Sequence, residues 1–291
     1  MKRLIIAFVL FTLLLSACSS NSSTNESNSA AAYIENKGSD TIVNLALAWA
    51  EKYQAVHPDV SISVTGGGSG TGISALLNRT VDIANASRQM QAEEIQQAQA
   101  IGFEPVEFVI SRDAIAVIVN PTNPVNRLTM QQVSDIYSGV INNWSQVGGQ
   151  DRPIVRLSRE VNSGTHIYFR DTVVRLGDKN NKTLFAMDTL LLPSSEGIIN
   201  EVRQNPNAIG YDGLGYVPSD LKVIAVAIDA TSPYVLPSIE TVNDKSYPVA
   251  RDLYMYTAGQ PEGAVKAYLD WVMASEAQAI VAELGFVPIK R

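Results

Sequence analysis

Three stretches of the 291-residue chain place hydroxyls and glycine where a helix is predicted to begin. They are NKGSDTIVNLALAW (residues 36–49), with Ser39 and Thr41, and SVTGGGSGTGISALL (63–77), with Ser69, Gly70 and Thr71 behind three glycines. The third is REVNSGTHIYF (159–169), with Ser163, Gly164 and Thr165. A helix start carries unpaired N–H donors and a partial positive end, and so seats anions. Glycine lets the backbone approach a ligand, and Ser or Thr adds a donor. Taken singly, each start reads first as an ordinary N-cap. Three of them in one chain, each with glycine, point to a cage for a small oxyanion.

Charged residues extend that chemistry. Arg159 precedes Ser163 by four residues and has the geometry for a bidentate, charge-assisted pair with two oxyanion oxygens. Its alternative partner is the adjacent Glu160. Arg88, just after VDIANAS, is a second candidate cation. Asp82 in that same stretch reads by itself as an ordinary strand-end acid. Near an anion a carboxylate repels, unless the anion carries a proton to donate. Phosphate is protonated near neutral pH and sulfate is not, so an acid in the cage would separate the two.

The elements that must hold these residues alternate. AAYIENKGS, VSISVTGGGSG, VDIANASR and PIVRLSRE read as strands, each followed by a helical pattern. FEPVEFVISRDAIAVIVNP is a long β-rich stretch, VIAVAI and YPVARDLYMYT are later strands, and a helical region with an internal break ends the chain. This order predicts an α/β fold with a largely parallel sheet. The chain is too long for one small sheet, so two α/β lobes are expected.

Composition narrows the class. The net charge is −7, and more negative once Lys2 and Arg3 leave with the leader, which argues against nucleic acid. Residues 1–17 read as a secretory signal peptide, their apolar run being too short to span a bilayer. Leu15-Ser16-Ala17-Cys18 resembles the lipobox of bacterial lipoproteins, making Cys18 the lipidated first residue and a membrane anchor. It is the only cysteine, so no intrachain disulfide forms. The polar stretch 18–32 reads as a flexible tether.

The motifs GSDT (38–41), GGGSGTG (66–72), DIANASR (82–88), SREVNSGT (158–165) and NAIGYDGLGY (207–216) together resemble the phosphate-binding proteins of bacterial phosphate ABC transporters. The resemblance covers essentially the whole mature chain, in order and spacing. It implies Ser39 and Thr41 as phosphate donors, with the Asp40 amide beside them, then Ser69 with Gly70 and Thr71. Asp82 is implied as acceptor of the phosphate proton, and Arg159, Ser163, Gly164 and Thr165 as the remaining ligands. Many members carry an acid two residues after the arginine, and this chain has Val161 there. The implied fold is a two-lobed, type II periplasmic-binding-protein-like fold with two crossing strands. Lobe 1 is expected at 33–115 plus 221–291 and lobe 2 at 116–220.

The implied function is an extracytoplasmic, lipid-anchored, monomeric receptor. It would bind inorganic phosphate between the lobes and deliver it to the permease and ATPase of a transporter, with no cofactor and no metal. Another oxyanion, such as sulfate or molybdate, is the alternative, as is a phosphate sensor or adhesin on the same fold.

Enzyme readings fit less well. GTGISA (70–75) matches a dinucleotide fingerprint with its Ala variant, but no P-loop lysine follows the glycines. Ser163 and His166 share one helix turn, unlike a triad, and no G-x-S-x-G elbow is present. The two histidines, His57 and His166, are far apart and make no metal site.

Overall fold

The protein is described by a computed structural model for residues 32–289. The leader, Cys18 and the tether up to residue 31 lie outside the described residues.

The first half builds three strand–helix steps. They are β1 (Ala32–Gly38) and α1 (Asp40–Val56), β2 (Val60–Thr65) and α2 (Ser69–Leu77), and β3 (Ile83–Ala86) and α3 (Ala92–Ala100). In α1, Ile42, Leu45, Ala46, Trp49 and Tyr53 recur at helical spacing and are buried, while Leu47 falls on the solvent side. The long strand β4 (Pro105–Val119) follows, then β5 (Arg127–Thr129) and α4 (Met130–Ser138). α4 is opened by a capping box in which Thr129 Oγ1 accepts from Gln132 N.

The second half has β6 (Val155–Arg159) and α5 (Gly164–Phe169), which continues as a π-turn over Arg170–Val174. β7 (Leu190–Leu192), α6 (Ser195–Gln204), β8 (Ala208–Gly213), β9 (Lys222–Val223) and β10 (Ala225–Ala227) come next. The chain closes with α7 (Ile239–Asn243), β11 (Ala250–Ala258), α8 (Gly263–Val272) and α9 (Ser275–Glu283). The break expected in the last helical region lies between α8 and α9.

The strands run in the order β2-β1-β3-β11-β4-β8-β6-β7, with β9 also on β4 and β10 on β5. Pairing is parallel at the flanks, where β1 meets β2 and β3 and where β6 meets β7 and β8. It is antiparallel in the middle, where β11 meets β3 and β4 and where β4 meets β8. The largely parallel sheet predicted from the alternation therefore holds only for the flanks. Alternating strands and helices mark local crossovers and carry no information on β11, which returns from far along the chain.

One strand serves both lobes. β4 pairs with β11 through Ala114 and with β8 from Ile115 onward. On one side of that junction a core gathers Ile34, Ile42, Trp49, Ile62, Leu253, Tyr268 and Phe286. On the other a core gathers Leu128, Val133, Tyr137, Trp144, Phe169 and Tyr211. Ile224, Val226, Val242, Tyr247 and Val249 join this second core. β10 pairs with β5, and Tyr247 Oη donates to the Ile115 carbonyl at 2.7 Å. Where the sequence leads one to expect a return to lobe 1 at residue 221, residues 224–249 pack on the second core. The reason is β-pairing and burial of residues 224–249, which the polar loop sequence at 229–248 concealed.

Candidate functional site

The flanking strands aim their C-terminal ends at one place, the usual position of ligands in open α/β sheets. β1 ends on Gly38, at φ +146°, where a Cβ would collide with the Asn85 carbonyl. Ser39 N donates to that carbonyl at 3.0 Å, and Gly68 N donates to the Gly38 carbonyl at 2.9 Å. The starts of α1 and α2 and the end of β3 are thereby locked together. Ser39 is 2% exposed yet makes no side-chain capping bond to α1, so the ordinary N-cap reading fails at this position. Ser69 Oγ accepts from Ser87 N at 3.0 Å and lies 3.2 Å from Ser87 Oγ.

The second lobe brings the start of α5 against this cluster. Ser163 Oγ caps the helix by accepting from Thr165 N at 3.2 Å. Thr165 Oγ1 shares a 2.9 Å hydrogen bond with Thr41 Oγ1, and Gly70 N donates to the Asn162 carbonyl at 3.0 Å. A Cβ on Gly164 would meet Ser69 Oγ and lie 2.6 Å from Ser87 Oγ, so any side chain there would have to displace both hydroxyls. Three helix starts from two lobes converge on one hydroxyl-lined spot.

Two buried guanidiniums flank it. Arg159, at the end of β6, is 1% exposed. Its Nη1 donates to Ser195 Oγ at 2.9 Å, and its Nη2 to Asp40 Oδ2 at 2.6 Å and to the Pro193 carbonyl at 2.9 Å. Asp212 Oδ2 lies 3.9 Å from Nη1. Glu160 is exposed and is not the partner, and Val161 is 66% exposed. The restraint that Val161 does not provide is thus supplied by Asp40 and Asp212.

The second guanidinium, Arg251 in β11, was not singled out in the sequence. Its Nη2 donates to Thr165 Oγ1 at 3.0 Å, to Thr41 Oγ1 at 3.3 Å and to Asp113 Oδ2 at 3.0 Å. Its Nη1 donates to the Ser87 carbonyl at 2.9 Å. A signal existed in YPVARDLYMYT: Val249, Arg251 and Leu253 alternate as one buried file, and an arginine inside such a file needs a buried partner. Asp113 is that partner, directly opposite Arg251 in the ladder.

Burial pushes the Asp113 carboxyl up from its ordinary 3.8 to about 6, opposed by Arg251 and assisted by Asp212. Burial also raises Asp212, against the pull of Arg159. A carboxyl raised by folding stabilises the fold when protonated and loses that contribution as pH rises through its folded value. Relative to Asp113→Asn, the parent should therefore lose stability between about pH 4 and about pH 6. Urea unfolding of both proteins across that range measures it.

Not every expected residue reaches the cage. Ser39, Thr41, Ser69, Arg159, Ser163, Gly164 and Thr165 come together, and Gly70 meets the opposite lobe through its amide. Thr71 instead turns its hydroxyl back to the Gly67 carbonyl at 2.6 Å. Arg88 is held by Glu94 in a bidentate pair at 2.7 and 2.8 Å. Asp82 stands exposed before the first residue of β3, accepting Glu35 N at 2.8 Å. Because β3 runs parallel to β1, its C-terminal end faces the cage and Asp82 sits at the far end. Ser87 occupies the place assigned to Asp82. Asp82→Ala should leave oxyanion affinity within about twofold of the parent by calorimetry, as surface substitutions distant from a site do.

His166 is a packing residue. Its Nδ1 lies 2.9 Å from Ser158 Oγ, and burial lowers its pKa to about 4. Among the described residues no group of three or more His, Cys, Asp or Glu is placed to hold a metal ion. No described helix is long and apolar enough to cross a membrane.

The fold and the site define a two-lobed substrate-binding protein that closes on a small anion. Residues 23–276 match the model of the PBP superfamily domain. The chain is 30% identical to the phosphate-binding protein PstS of Bacillus subtilis, covering 98% of this chain and 93% of that one. The PstS of Pseudomonas aeruginosa is also 30% identical, over 87% of this chain and 81% of its own length. A phosphate ABC transporter substrate-binding protein of Clostridium perfringens, solved with bound phosphate, superposes with TM-score 0.79 at 32% identity, covering 89% of this chain and all of that one. The chain belongs to the PstS family of phosphate-binding proteins within the PBP superfamily, and is a binding protein rather than an enzyme.

Proposed function

We propose that the cage binds one inorganic phosphate between the lobes and that the loaded form is handed to a membrane phosphate ABC transporter. The observation that carries this reading is the meeting of α1, α2 and α5 starts with Arg159 and Arg251, because the donors come from both lobes. Phosphate would bridge the lobes and favour the closed form, the hinge motion of this fold class. Lobe 1 would comprise 33–114 and 250–289, and lobe 2 would comprise 115–249, with β4 and β11 as the connections. The names of the relatives point to the same ligand.

Asp40, Asp113 and Asp212 surround the two guanidiniums, and this acidic shell favours an oxyanion that still carries a proton. Ligand-stripped protein should bind phosphate one-to-one in calorimetry at pH 7–8 and give no heat with sulfate. Equal affinity for sulfate or molybdate would assign a different oxyanion, and no heat with any of them would leave a shared fold without this ligand. We further propose an extracytoplasmic, monomeric protein anchored through a lipid on Cys18, with the permease and ATPase as partners. Cys18→Ser should then release the protein from membranes in a fractionation experiment.

A further inference from the structure

We propose that Asp40 is a positioning residue that fixes Arg159 from across the cleft, so that the arginine is set for the anion only as the lobes close. This rests on the phosphate reading above. A carboxylate beside a phosphate site is unfavourable by Coulomb's law unless it does something else. Asp40 is the first residue of α1, in the lobe opposite Arg159. Its Oδ1 accepts Gly67 N at 3.0 Å, and its backbone carbonyl accepts Tyr216 Oη at 2.6 Å. A Cβ on Gly66 would sit 2.5 Å from that same Oδ1, so the glycine turn is shaped around the carboxylate. Asp40 is therefore held by its own lobe's glycine turn whether or not Arg159 arrives.

Within its own lobe Arg159 has only neutral hydrogen-bond partners, Ser195 Oγ and the Pro193 carbonyl. Among the described residues the one same-lobe acid within 4 Å, Asp212, stands at 3.9 Å, beyond hydrogen-bond length. Its Oδ2 and the Arg159 Nε are both buried without a partner. The 2.6 Å bond to Asp40 is the one charge-assisted hydrogen bond that orients the guanidinium, and it spans the cleft. Closure forms this bond and opening breaks it, so it acts on release of the anion more than on capture.

Asp40→Asn keeps an acceptor for Gly67 N but turns an amide donor toward the Arg159 donors. Stopped-flow with inorganic phosphate should show release about 10-fold faster or more, with the association rate within about twofold of the parent. Asp40→Glu keeps the charge on a longer arm and should fall between the two. Thermal midpoints of the phosphate-free proteins within a few degrees of one another would exclude a folding defect. Unchanged release in both variants would overturn the proposal, as would slower association with unchanged release, which places Asp40 at the encounter step. Should Asp40→Asn not fold, Asp40→Glu alone decides by the same criterion. Phosphate binding by the parent tests the functional reading separately. A parent that binds phosphate with variants that release it normally would sink only the role of Asp40.

Discussion

Arg159→Ala weakens phosphate binding by about 30-fold to several thousand-fold, the effect expected when one member of a buried, hydrogen-bonded charge pair is removed at about 2–5 kcal/mol. Two losses contribute. The anion loses a guanidinium fork matched to two oxygens, and Asp40 and Asp212 lose the cation that balances them, so both carboxylates then face the phosphate. Arg159→Lys should recover only part of the affinity, since an ammonium cannot satisfy Ser195, Pro193 and Asp40 together in a planar fork. Calorimetric titration of the three proteins with phosphate checks the order. Near-parent affinity in the alanine variant would remove Arg159 from the cage.

Arg251→Met destabilises the protein by about 3–5 kcal/mol, because the fully buried Asp113, its carboxyl already raised by burial, loses the cation that favours its charged form and must take up a proton or stay unpaired. That is a large part of the 5–15 kcal/mol typical of a whole domain, and thermal unfolding should fall by roughly 6–20 °C. Replacing the pair together, as Arg251→Met with Asp113→Leu, should return most of the stability, since apolar replacements of buried ion pairs are often neutral. Affinity should not return with it. Arg251 donates to both Thr41 Oγ1 and Thr165 Oγ1, and since one of these hydroxyls donates to the other, one hydroxyl proton is left to point at the anion. Losing that arrangement should weaken phosphate binding by about 10-fold or more, on the scale of a hydrogen bond to a charged group. A double variant that is stable and binds phosphate normally would make Arg251 a structural residue only.

Residues whose evidence is local were legible before the structure. Ser39, Thr41, Ser69, Ser163, Gly164 and Thr165 sit at helix starts beside glycine, and a helix start can be recognised from a few neighbouring residues. Arg159 lies at the end of the strand leading into one of them. The α/β alternation was legible for the same reason, and the two lobes from the length of the chain. What escaped depends on partners far along the chain. Arg251 and Asp113 are 138 residues apart and meet only because β11 returns beside β4. Asp40 was named only for its amide, because its carboxylate finds Arg159 across 119 residues. Asp82 lies away from the cage for a geometric reason that strand direction could have supplied: the four residues of β3 stand between it and Ser87, five steps or about 16 Å at 3.3 Å each. The packing of residues 224–249 was not legible because they show no long strand or helix, yet apolar side chains among them join the second core.

A crystal structure of the protein grown with inorganic phosphate would show directly whether one phosphate sits where three helix starts from two lobes meet. A single tetrahedral anion is expected within hydrogen-bond distance of the hydroxyls of Ser39, Thr41, Ser69 and Thr165 and of the Arg159 guanidinium, with Asp82 outside its reach. A phosphate bound elsewhere, or contacted by residues of one lobe only, would contradict it.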